Sequence, residues 1–106
     1  MKLREVIERV DATRANDVSE EMKTRWVNEV EGRVQCEVHR LPPVKVRFAK
    51  SGEDELCVPD PYAKLYTIYL VAMLEFSAGN YGDFIRLMTE FEKDLELYAK
   101  WVVRNS

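Results

Sequence analysis

The sequence predicts a mainly α-helical domain: a small bundle of three long or medium helices plus a short N-terminal helix, with one β-hairpin inserted around residues 44–58. Three patterns carry that reading. Pro61–Ala78 is apolar on nearly every side, with only Thr67 and Glu75 interrupting the run from Leu65 to Phe76. Tyr81, Phe84, Met88, Phe91, Leu95, Tyr98 and Val102 follow one another at alternating steps of a heptad seam. Met22, Trp26, Val30, Val34 and Val38 repeat every fourth position, one stripe of an amphipathic helix.

In chain order, Lys2–Val10 forms the short helix, with Leu3, Val6, Ile7 and Val10 on one face. Asn16-Asp17 suits a turn. Asp17 or Ser19 then caps the second helix, whose first turn holds Glu20 and Glu21, the charge that a helix N-terminus favours. That helix is expected to reach His39 and to stop before Pro42-Pro43. Val44, Val46 and Phe48 alternate with Lys45 and Arg47, the period of a strand, and Lys50–Asp54 is a turn cluster. Leu56-Cys57-Val58 would return as the second strand, and so small a hairpin needs a helix or another chain to pack on. Asp60-Pro61 is a helix start signal and Gly79-Asn80 a left-handed stop. The short joint at Ser77–Asp83 should fold the last two helices back antiparallel.

Composition narrows the function classes. A chain of 106 residues, 46% hydrophobic and 33% charged, is one globular domain, 1–106, rather than a disordered tail. A net charge of -3 supplies no general basic field, which disfavours binding to the outside of DNA or to an acidic membrane surface. Met1–Glu5 is charged and lacks the apolar core of a signal peptide. Leu65–Phe76 would span about 18 Å as a helix, too short for a bilayer. A cytoplasmic site of synthesis and no membrane partner are therefore expected.

No cofactor and no catalytic set is expected either. The chain has one histidine and lacks a Gly-rich phosphate loop and a nucleophile elbow. Glu75 is the one carboxylate within an apolar run, where a raised pKa could serve acid–base work, but no second catalytic group can be named. Hydrogen bonding to a tyrosine or an arginine of a neighbouring helix is the expectation for it. Cys36 and His39 share a helix face and Cys57 could approach them, yet three soft ligands without a Cys-x-x-Cys pair make a poor metal site. Reduced thiols and ordinary packing are expected for both cysteines. Trp26, Val30, Val34, Leu70, Met73, Phe84, Met88, Phe91 and Leu95 are the candidate core. Tyr62, Tyr66, Tyr69, Leu87, Leu97 and Trp101 are the candidate interface, because a helix apolar all round must be covered by its own domain or by a neighbour.

Two stretches carry a family resemblance. One is Asn16 followed by Ser19-Glu20-Glu21 and then Lys23-x-x-Trp26-Val27-Asn28-Glu29-Val30-Glu31. The other is Val58-Pro59-Asp60-Pro61-Tyr62, Tyr66, Tyr69-Leu70-x-Ala72-Met73 and Phe76-x-x-Gly79-Asn80-Tyr81. In this order they resemble small structural proteins of tailed phages and prophages, similar to the head–tail connector (adaptor) family. Asn80 stands where that pattern has an acidic residue. The resemblance implies a helical virion protein, assembled in the bacterial cytoplasm, whose copies form a homo-oligomeric ring below the portal. Portal and neck or tail proteins would be its partners, with DNA only as passing cargo. It brings no catalytic residue. The alternative from another class is a cytoplasmic helical protein-interaction module, such as a phage assembly or regulatory factor.

Overall fold

The computed structural model describes residues 1–106 and contains four α-helices and no strand. They are α1 (Leu3–Thr13), α2 (Glu20–Glu37), α3 (Lys64–Ser77) and α4 (Tyr81–Arg104), with a 3₁₀ turn at Pro43–Lys45. Ser19 caps α2, its hydroxyl accepting the Met22 N–H at 3.1 Å, which answers one of the N–H groups a helix start leaves open. Arg40 takes φ 62° after α2, so that the Leu41 N–H reaches back to the Gln35 carbonyl at 2.9 Å. Gly79 takes φ 82° after α3, and the Asn80 N–H closes on the Glu75 carbonyl at 2.8 Å. This is the left-handed stop that Gly79-Asn80 predicts.

Helix α3 is the hub. It packs against α1, α2 and α4, and its Leu65, Tyr66 and Leu70 have no exposed surface at all. Its apolar character on every side is thus met largely within the chain itself. Helix α4 packs chiefly on α3, antiparallel to it, and buries Phe91, Leu95 and Tyr98. Trp26, Val30 and Val34 bring the core face of α2 to the same cluster, joined by Leu3, Val6 and Val10 of α1.

The β-hairpin expected around residues 44–58 does not form. Residues 46–58 form no ladder: a turn at Ser51–Asp54, closed by the Asp54 N–H on the Ser51 carbonyl at 3.0 Å, interrupts them, and their only bridge is an isolated antiparallel one between Lys2 and Glu55. The reason lies on α2, whose polar side chains take the place of a second strand. Asn28 accepts the Ala49 N–H and donates to the Ala49 carbonyl, both at 2.9 Å. Two turns on, Gln35 does the same for Arg47, at 2.9 and 2.8 Å. A side-chain amide carries one donor and one acceptor side by side, so it pairs with a peptide as another peptide would. Between them Phe48 lies against Gly32, where an added Cβ would meet its ring at 3.4 Å.

Asn28→Ala should therefore release the segment rather than merely trim a surface. Losing both bonds to a buried alanine is expected to cost about 1–3 kcal/mol. The local signature is faster amide hydrogen exchange at Ala49 with the α2 amides still protected. Unchanged exchange there would mean that the segment is held by other contacts.

Helix boundaries also differ from expectation: α1 continues to Thr13, and α2 ends at Glu37, short of His39. Helix α3 begins at Lys64, because Asp60–Ala63 form tight turns in which the Tyr62 N–H bonds to the Pro59 carbonyl at 2.9 Å. The Asp60-Pro61 peptide is cis, and the Asp60 side chain caps nothing. These turns carry Ala63 into the core, where it has no exposed surface. Among the candidate core residues, Met73 and Met88 are half-buried against the main cluster. Phe84 is half-buried outside it, its ring 5.0 Å from that of Phe76, because the first turns of α4 lie beside the end of α3 rather than over the core. Met22 is 37% exposed at the start of its stripe.

Candidate functional site

The most unusual chemistry is inside the bundle, around Glu31 of α2, a residue the sequence reading passed over. Its side chain sits among buried neighbours, only 3% exposed. It accepts the Tyr66 hydroxyl, the Cys57 N–H at 2.9 Å and the Cys57 thiol at 3.2 Å. The Tyr66 oxygen in turn accepts the Val58 N–H at 2.9 Å. Every polar atom of this group has a partner, and the group pins the return segment and α3 onto α2. Burial, then the Glu31 carboxylate, pushes the Cys57 thiol up to about 12, so it stays protonated and donates. The same causes hold the Tyr66 phenol far above its ordinary value. This is a structural clasp, since a thiolate nucleophile needs the opposite surroundings.

Alkylation under native conditions at pH 8 should accordingly label Cys57 at least about a hundredfold more slowly than in urea, by peptide mapping. Titration in denaturant should find two free thiols, matching the two unpaired cysteines of the fold. A Cys57 that labels at the unfolded rate would place it outside the clasp.

The other polar residues singled out in the sequence are dispersed. Glu75 accepts from the Arg14 Nε at 2.7 Å, and the bond to that guanidinium holds its carboxyl below the usual range. The Asn80 amide faces the same carboxylate at 3.5 Å, a position where an acidic residue would repel it. The ring of His39 meets the Tyr98 hydroxyl, 2.7 Å from Nε2. Cys36, His39 and Cys57 do not converge, and no group of three or more His, Cys, Asp or Glu side chains is placed to hold a metal ion. No helix is long and apolar enough to cross a membrane.

The candidate interface residues divide. Tyr66 lies wholly within its own chain, so it presents nothing to a neighbour, and its placement at an interface is corrected. Tyr69 is half-buried, its hydroxyl donating to Glu29 at 2.7 Å and its ring 5.1 Å from Phe91. Tyr62 is half-buried against Tyr98 and Trp101, at 5.4 and 5.8 Å between ring centres. Leu87 lines an open groove of about 440 Å³ with Val10, Ile68 and Val71, between α1, α3 and α4. Leu97 and Trp101 are exposed, at 49% and 36%.

Accessible apolar side chains lie along α4, and also at Met22 and in the segment after α2, at Leu41, Val44 and Phe48. At the start of α4 Tyr81 and Ile85 are 59% and 63% exposed, beside Phe76 of α3 at 48%, with the Phe76 and Tyr81 rings 5.5 Å apart. Toward its end Leu97 and Trp101 are exposed, the Trp101 ring 5.8 Å from that of Tyr62. Sequence periodicity marked the second cluster but placed Tyr81 and Phe84 in a seam and missed Ile85, which lies outside that seam although it stands four residues after Tyr81.

Comparison with protein-family models, curated proteins and solved structures gives no match for this chain. Its surface must be interpreted from its own chemistry.

Proposed function

We propose that this chain is a phage or prophage virion structural protein, a head–tail connector subunit whose copies assemble into a ring below the portal. The observation that carries the reading is the outer helix. The bundle completes its core with Phe91, Leu95 and Tyr98 of α4, yet large apolar side chains remain in water at both ends of that helix. Contiguous exposed apolar side chains of this kind mark contact surfaces. The sequence pattern around Trp26 and from Val58 to Tyr81 supports the connector assignment. Portal and neck or tail proteins would dock on the ring, and its net charge of -3 would let DNA pass without being held.

Solution mass across a concentration series, alone and beside its portal, tests this. The expected result is a discrete multi-subunit species under at least one condition. A chain that stays monomeric throughout would overturn the ring and leave the interaction-module reading, with α4 as the surface for a single foreign partner.

A further inference from the structure

We infer that the two apolar clusters at the ends of α4, one of them shared with Phe76 of α3, are the complementary halves of one head-to-tail contact between copies of this chain. The Phe76–Tyr81–Ile85 flank of one copy seats on the Leu97–Trp101 flank of the next. This rests on the proposal that copies associate, and goes further by naming which surfaces meet and in what sense.

Geometry is the first support. Ile85 and Trp101 are about 24 Å apart along the helix axis and about 160° apart around it, at 1.5 Å and 100° per residue. The clusters thus face nearly opposite ways from the same helix. A neighbour on one flank leaves the other free for the next copy, the condition for a heterologous contact that repeats.

Charge is the second. Beside the Leu97–Trp101 cluster, Arg104 stands one turn beyond Trp101, and Arg40 follows His39, whose ring packs edge-on to Tyr98. Lys45 lies in the 3₁₀ turn just past Leu41, and all three cations are exposed. None is within salt-bridge distance of an acid, whereas Glu96 and Glu37 at this end are engaged by Lys100 and Arg33. At the other end, Asp17 borders a depression with Leu74 and Ser77 of the last turns of α3, and Glu20 and Glu21 open α2. These three carboxylates are exposed and unpaired, while Asp83 beside them meets Arg86 at 3.8 Å. Asp60 at the basic end and Arg25 at the acidic end are the unpaired exceptions, and neither changes the sign at its end. A chain of net charge -3 therefore carries a basic and an acidic end, each adjoining one apolar cluster. A two-fold contact would set each end against itself, like charge on like. A head-to-tail contact sets unlike charges together, which favours encounter and fixes register.

Single-flank variants decide this. Leu97→Glu and Ile85→Lys each place, on an exposed position, the charge that repels the opposing end, so both should melt like wild type. Each alone should need at least a tenfold higher concentration to assemble. Mixed at equal concentration, they should associate again, because one intact flank survives on each and the two altered flanks carry opposite charges. A double variant, Arg40→Glu with Arg104→Glu, should weaken assembly in the same direction and recover with rising salt. If wild type assembles and both single variants assemble equally well, the contact lies elsewhere and the ring survives without it. If both fail singly and also fail to pair, the head-to-tail sense is wrong. If wild type never assembles, with or without its portal, the ring falls and this contact with it.

Discussion

Tyr66→Glu is expected to unfold the domain rather than to block assembly. Read as part of an apolar helix face, Tyr66 would be an interface residue, and a charge there would spare the monomer. In the fold it has no exposed surface, donates to Glu31 and receives the Val58 N–H. A glutamate at this place would set a second carboxylate against Glu31 in a dry interior, leave Val58 without its acceptor and vacate most of a tyrosine's volume. An uncompensated buried charge costs several kcal/mol, and with the lost packing the sum reaches the roughly 5–15 kcal/mol of a typical domain. Far-ultraviolet circular dichroism should show loss of cooperative melting. Tyr66→Phe keeps the ring and should cost only about 1–3 kcal/mol, the penalty of stranding the hydroxyl's partners. A Tyr66→Glu protein melting cooperatively near wild type would return Tyr66 to the surface and refute the clasp.

The second large effect is Trp26→Ala, expected to remove about 3–5 kcal/mol, the usual cost of deleting a buried large aromatic. Trp26 is 6% exposed in the core cluster, beside Val27 and Val30, which are also buried. Trp101→Ala is the matched control: at 36% exposure it should shift the melt far less. With only these two tryptophans in the chain, each variant reports the other's emission. Trp26 should emit at the shorter wavelength, as a ring away from water does. Equal melting shifts for the two variants would mean that Trp26 is not in the core.

Much of this fold could be read from the chain because helices announce themselves locally. Ser19 before Glu20-Glu21, Gly79 after Phe76, and the spacings through Trp26–Val34 and Phe91–Tyr98 act over one or two turns, the range across which periodicity and capping work. The hairpin misled for the converse reason. Val44–Phe48 has the alternation of a strand, but a strand is made by its partner. Here Asn28 and Gln35 of α2, distant in sequence, supply the donors and acceptors that a second strand would have offered. Nothing near Ala49 or Arg47 records that.

The same divide separates the two parts of the functional reading. That α3 must be enclosed follows from its composition, since apolar side chains on every face of a helix cannot all stay in water. Which molecule encloses it does not follow, because burial by the chain itself and burial by a neighbour demand the same residues. Tertiary structure decided this by setting α1, α2 and α4 around α3, which took Tyr66 inside and left Ile85, Leu97 and Trp101 out. Glu31 was invisible for a related reason: among the charges of α2 it reads as one more solvated carboxylate until the fold brings Cys57, Val58 and Tyr66 against it. The sequence by itself determined the helices, their caps and the apolar faces that needed cover. Only the packing of those helices decided which faces were covered within the chain and which remain for another.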